Sequence, residues 1–215
     1  LDRILGLLGL LMVGAIAAIF VSAEIQYRDR IIEVLWGGTL GGLIGLLIML
    51  HPATPRARWL KWLTGLPKVG SLIGDAASAI ALYQTRRTVV VMTVLLSVVG
   101  HFGMISSFYF CALAVTGSGV APDYITHLLL IPLAEIIGVI VPVPGGIGAL
   151  EGAVQESYKL AGADPGIGLL VAGAYRVTTI LVAAIGSVYY LSARRQLRAL
   201  MADAGNSQTA GTESE

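Results

Sequence analysis

Four stretches of this chain are long, apolar and almost free of charge, and they leave it few folds to choose from. They run over residues 5–23, 34–50, 88–115 and 166–192. Each is close to or above the ~20 residues a helix needs to cross ~30 Å of hydrocarbon. In lipid every backbone N–H and C=O needs a partner within the protein, so these stretches are expected as helices. Composition agrees: 56% of the 215 residues are hydrophobic and 13% are charged, against about 25% charged in a soluble domain. The expected fold class is all-α integral membrane, a polytopic helical bundle. No nucleic-acid partner is expected, and the net charge of +1 itself says little about partners, because in a membrane protein the placement of Lys and Arg matters more than their sum. Cys111 is the only cysteine, so no intrachain disulfide is expected, and its place in an apolar segment suits a small packing residue.

That placement gives an orientation. Arg56, Arg58, Lys61, Lys68, Arg86 and Arg87 lie between the second and third spans, against Asp75 alone, and Arg194, Arg195 and Arg198 follow the last span. Residues 116–123 carry no Lys or Arg. By the positive-inside tendency, the 51–87 connection and the C-terminus are cytoplasmic and 116–123 faces out. Within the connection, Arg56, Arg58 and Lys61 stand beside Trp59 and Trp62, which suits a helix at the headgroup level. Val69, Leu72, Ile73, Ala76, Ala77 and Ile80 then recur at helical spacing, as in an amphipathic cytoplasmic helix. The domain is expected over 1–200, with a polar tail at 201–215 expected to be disordered.

Between the outward-facing loop and the last span lies Pro142-Val143-Pro144-Gly145-Gly146-Ile147-Gly148-Ala149-Leu150-Glu151. Two prolines and three glycines within seven residues cannot continue a normal helix. An apolar arm, 124–141, enters this run, and a second arm, 147–162, leaves it carrying Glu151, Gln155, Glu156 and Lys159. Four such side chains facing lipid would be prohibitive. If 116–123 is outside and the tail is cytoplasmic, residues 124–163 start and end outside. They form either a helical pair turning at the cytoplasmic face or a re-entrant hairpin turning within the membrane. A cytoplasmic turn would attract basic residues, and the nearest here is Lys159. The re-entrant hairpin over 124–163 is the favoured expectation.

Ionisable residues inside apolar segments are costly and mark sites. Glu135 precedes Pro142 by about two helical turns, Glu151 opens the second arm, and Arg176 lies in the last span with Gly168, Ala172 and Ala183 near its own face. A small-residue face implies an Arg turned into the bundle. Two readings stay open: an ion pair of Arg176 with Glu135 or Glu151 that holds the hairpin, or a charged cavity for a zwitterionic or anionic headgroup. His101, in the third span, suits a hydrogen-bonded packing residue, with a proton relay as the other reading. Gly37, Gly41 and Gly45, with Gly38 and Gly42, suit close helix packing.

The run Pro142–Glu151, followed about 25 residues later by Ala174-Tyr175-Arg176, resembles the membrane domain of the lysylphosphatidylglycerol synthase flippase-like family. That family carries Pro-x-x-Gly-Gly-x-Gly-x-x-Glu and then an Arg near the start of a hydrophobic helix. The resemblance covers about the last 110 residues, while the first two spans and the basic connection match in order and hydropathy. It implies a polytopic bundle with re-entrant helices that translocates a phospholipid or lipid-linked headgroup across the cytoplasmic membrane. Anionic or aminoacylated phospholipids would be its partners. Gly145, Gly146, Gly148, Glu151 and Arg176 carry over as substrate-binding residues; Glu135 rests on the argument above. In that mechanism Arg176 meets the phosphate, N–H groups of the Gly-rich turn add an anion site at a helix start, and the carboxylates balance Arg176 or bind an amine. No cofactor or metal is implied.

The chain opens on Leu1 without a methionine and is expected to be the C-terminal part of a longer protein. Missing N-terminal helices, or a homo-oligomer, would complete the translocation path. No aminoacyltransferase domain follows, so synthesis of an aminoacyl lipid is not expected. Two other classes remain: a membrane enzyme acting on lipid substrates, for which the residues offer no Ser/His/Asp set, metal-ligand cluster or nucleotide loop, and a non-transporting envelope scaffold.

Overall fold

The computed structural model describes residues 2–51, 83–117, 119–143 and 146–212. Its principal elements are helices: α1 (Asp2–Phe20), α2 (Arg28–Leu50), α3 (Arg87–Thr116), α4 (Tyr124–Ile140), α5 (Ala149–Leu160) and α6 (Pro165–Thr212). Among the described residues, the segments Arg3–Phe20, Arg28–Leu50, Arg87–Thr116 and Pro165–Leu191 are long and apolar enough to cross a membrane. The chain is a multi-pass helical membrane protein. It divides into two compact units, Leu1–Ala172 and Gly173–Glu215.

In the first unit α1 is the hub, packed against α2, α3 and α4, while α4 also packs on α3 and α5. Leu5, Leu8, Leu10, Val13, Ala15, Ala17 and Ala18 of α1 are all buried, and a helix apolar on every side is one that belongs inside a bundle. Small residues set the close approaches. A Cβ on Gly9 would run into the Ser97 side chain, and one on Gly14 would stand 2.8 Å from Leu35 and 3.3 Å from Pro132. Gly38 and Gly42 meet Leu11 and Leu8 in the same way, whereas Gly37, Gly41 and Gly45 face open space. The pairings 14 with 35, 11 with 38 and 8 with 42 make α1 and α2 antiparallel. Leu5 clusters with Val90 and Val94, below the contact of Gly9 with Ser97, so α1 and α3 run parallel. His101 sits beside the Gly6 backbone, the packing place expected for it.

Local chemistry explains the helix ends. The Asp123 carboxylate accepts from the Thr126 N–H at 2.7 Å and starts α4, as an N-cap does. α2 begins at Arg28, six residues before its apolar stretch at 34, because its first turns are polar and carry an exposed Arg30–Glu33 pair at 2.9 Å. At its other end Gln84 Nε2 donates to the carbonyls of Met49 and His51 at 2.8 and 2.9 Å, which satisfies orphan acceptors. The amphipathic helix expected over 69–80 and the Arg-Trp stretch before it lie outside the described residues. In α6 the helical backbone continues to Thr212, past residue 201, where composition alone leads one to expect a disordered tail.

Candidate functional site

The Pro-Gly run is the turn of a helical hairpin made by α4 and α5. α4 passes through Pro132, which is buried and removes one N–H from the helix ladder. It stops at Ile140, where Pro142 follows. The turn then closes on itself: the Val143 N–H donates to the Val141 carbonyl at 2.8 Å and the Gly146 N–H to the Val143 carbonyl at 2.9 Å. Gly146 has φ +64, and a Cβ there would lie 3.0 Å from the Gly138 carbonyl oxygen. Gly138 in turn faces Leu150, with 3.2 Å between a Cβ placed on it and the Leu150 Cβ. Two glycines thus fold the tip back onto α4 with no side chain between them.

Gly148, with φ +85, precedes the first residue of α5, and its N–H donates to Glu151 Oε2 at 2.7 Å. A carboxylate at the third helical position that reaches back to the N-cap N–H satisfies an orphan donor. Its charge also complements the positive end of the helix dipole. The Gly148 N–H that the anion-site expectation would use is therefore taken from within the chain, and a phosphate approaching it would meet a carboxylate.

Beside the tip lies a cavity of about 370 Å³ whose walls include Glu135, Gly138, Val141, Pro142, Gly146 and Leu150. Its size falls in the range of small-ligand sites. Glu135 is the ionisable side chain in that lining, and its Oε1 is buried. Of the expected site residues, the structure brings Glu135 and Gly146 to one cavity and joins Gly148 to Glu151 at the start of α5. Gly145 lies outside the described residues. Arg176 stands on α6 in the second unit, where Thr179 Oγ1 donates to its carbonyl at 2.8 Å.

The open end of the hairpin holds a polar cluster that sequence reasoning missed. His127 on α4 and Tyr158 on α5 are each 2% exposed. His127 Nδ1 is 2.9 Å from the Asp123 carbonyl, and its Nε2 is 2.8 Å from the Tyr158 hydroxyl. A carbonyl only accepts, so Nδ1 carries the proton and, in the neutral ring, Nε2 accepts from the tyrosine O–H. Tyr109 of α3 packs edge-on against both His127 and Tyr124, at centroid separations of 5.4 and 5.1 Å. Ser106 Oγ lies 2.8 Å from the Tyr124 hydroxyl. The cluster ties the two arms to each other and to α3. No motif marks it, since its members come from three helices.

Helices of spanning length together with a helical hairpin that turns at the Pro-Gly run define a polytopic membrane protein with a largely apolar cavity, holding the Glu135 carboxylate, beside that turn. A family model described as lysylphosphatidylglycerol synthase TM region matches residues 1–186, and the chain belongs to that family. Membership associates it with membrane-lipid modification or transport. Comparisons with curated proteins and with solved structures return no match.

Proposed function

We propose that the chain is a lipid translocase that moves a phospholipid or lipid-linked headgroup across the cytoplasmic membrane, with the 141–148 turn held inside the bilayer. One observation carries this reading: a cavity at a broken-helix turn contains a buried carboxylate, where an apolar wall would suffice for packing alone.

Helix lengths support re-entrance. α5 has 12 residues, about 18 Å at 1.5 Å per residue, short of the ~30 Å hydrocarbon. Register makes the turn shallow. The contact of Gly14 with Pro132, carried along two antiparallel helices, sets Val141 opposite about residue 5 of α1, just inside the Arg3 end of the apolar window Arg3–Phe20. Irregular backbone at that depth survives where protein or a polar cavity shields it.

The residues take distinct roles in this mechanism. Glu135 receives the ammonium of the headgroup in the cavity. Gly138 and Gly146 shape the cavity by letting the tip pack directly on α4. Glu151 acts indirectly, by fixing the start of α5 through Gly148. Arg176, assigned through the family motif, offers a phosphate contact of its own on the second unit, its planar fork suited to two phosphate oxygens. The C-terminus is cytoplasmic in this arrangement. The test is translocation by the reconstituted chain carrying Arg176→Ala. Loss of translocation with normal expression and folding is expected; unchanged translocation would sink the headgroup-site assignment.

A further inference from the structure

A second cavity, a basin of about 970 Å³, lies at the open end of the hairpin, between the α1–α2 turn and the end of α5. Its two walls are tied together by the Gln26 N–H donating to the Leu160 carbonyl at 2.8 Å. Arg28 and Arg30 from the start of α2 and Lys159 from α5 line it, together with Glu24 and Asp29. Three cations and two carboxylates from the α1–α2 turn, α2 and α5 thus border one space.

Their existing partners hold them weakly. Arg28 and Asp29 are 3.7 Å apart, and the Arg30–Glu33 and Lys159–Glu156 pairs are exposed contacts three residues apart on their helices, a kind that contributes little. Arg28 is the best positioned of the three: its Nη2 donates to the Val21 carbonyl at 3.3 Å. That contact aims the guanidinium and leaves most of its fork for another acceptor.

The basin also lies at headgroup depth. It opens where one spanning helix ends, at Phe20, and the next begins, at Arg28. Ile19 and Phe20, at the end of α1 shortly before the lining begins at Ser22, are 63% and 64% exposed and offer an apolar surface for the acyl part of a lipid.

We propose that this basin binds the phosphate of a membrane phospholipid through Arg28, Arg30 and Lys159, with Glu24 and Asp29 facing any amine on the headgroup. This deepens the translocase reading and rests on it. An anionic cavity then lies at the hairpin tip and a basin of three cations and two carboxylates beside its open end, so a headgroup released by the first is received by the second.

Native mass spectrometry of the detergent-purified chain with dioleoylphosphatidylglycerol tests it, with dioleoylglycerol as the phosphate-free control. Arg28→Ala with Lys159→Ala should weaken retention of the phospholipid about tenfold, leave dioleoylglycerol unchanged, and be rescued by Arg28→Lys with Lys159→Arg. Retention unchanged in the alanine pair overturns the proposal. Should that pair fail to fold, Glu24→Gln with Asp29→Asn decides: tighter retention supports the site and unchanged retention overturns it. Millimolar sodium phosphate is the free-anion arm. If it binds as well as the phospholipid, the site serves a soluble anion and the lipid assignment falls. Glu135→Gln separates this proposal from the translocase reading. If translocation ignores Glu135→Gln and Arg176→Ala while retention still depends on Arg28 and Lys159, the translocase reading fails and the basin stands as a lipid site.

Discussion

Alanine substitutions at three neighbouring glycines test the tip geometry, because each glycine meets a different environment. At Gly146 the backbone is left-handed, with φ +64, and a Cβ would lie 3.0 Å from the Gly138 carbonyl oxygen. The left-handed conformation costs a residue with a Cβ about 1–2 kcal/mol. The oxygen cannot retreat easily, since Gly138 is already packed on Leu150, and forced overpacking adds about 1–3 kcal/mol. Gly146→Ala should therefore lose about 2–5 kcal/mol in all. Gly148 has φ +85 and ψ −38, outside the left-handed helical well, but open space around it, so Gly148→Ala should lose only the backbone strain, about 1–3 kcal/mol. Gly152 lies within α5 with nothing near it, and Gly152→Ala should gain about 0.5–1 kcal/mol. Unfolding of the purified chain in mixed micelles, followed by far-ultraviolet circular dichroism, reads the order directly. Gly152→Ala should be the most stable, then the parent, then Gly148→Ala, then Gly146→Ala. Gly146→Ala at least as stable as Gly148→Ala would refute the close packing of the tip on α4.

Three further outcomes are expected. Tyr158→Phe takes the hydroxyl from buried His127 Nε2. A double-mutant cycle with His127→Phe should give a coupling of about 0.6–2 kcal/mol, and a coupling near zero would mean that the contact holds nothing. Glu151→Gln keeps an acceptor for the Gly148 N–H while Glu151→Ala removes it, so melting temperature should fall in that order, with alanine losing about 1 kcal/mol. Equal melting temperatures would remove the capping role. A cysteine placed at Ala149 should label slowly with water-soluble maleimide in sealed membranes; brisk labelling from the cytoplasmic face alone would favour a turn at the cytoplasmic surface.

Much of the fold was legible because lipid enforces simple rules. Spans show as apolar length, and a Pro-Gly run shows as a break. Glu135 was legible for a related reason, since a carboxylate within an apolar segment demands an explanation wherever it falls. The start of α2 was not, because polar turns such as Arg28–Glu33 extend a helix beyond its apolar stretch without changing hydropathy. The His127–Tyr158 bond was hidden for a different reason. It joins residues 31 apart in sequence, and which residues of two arms meet depends on where the turn closes. That closure is set by Gly138, Gly146 and Leu150, whose contact is invisible in a one-dimensional pattern. Glu151 shows how a motif residue acquires meaning from geometry. Its spacing from Gly148 suits a functional carboxylate and a reaching helix cap alike, and the 2.7 Å bond shows that it caps the helix.

The most direct measurement is translocation of an ammonium-bearing phospholipid by reconstituted chain carrying Glu135→Gln. Glutamine keeps the shape of the side chain and removes its charge, so folding should persist. Loss of a charged contact of this kind corresponds to about tenfold to a hundredfold. The account expects a fall of that size for the ammonium-bearing lipid, with the thermal stability of the protein preserved. Translocation unchanged from the parent chain would contradict the claim that the headgroup passes through the cavity at the hairpin tip.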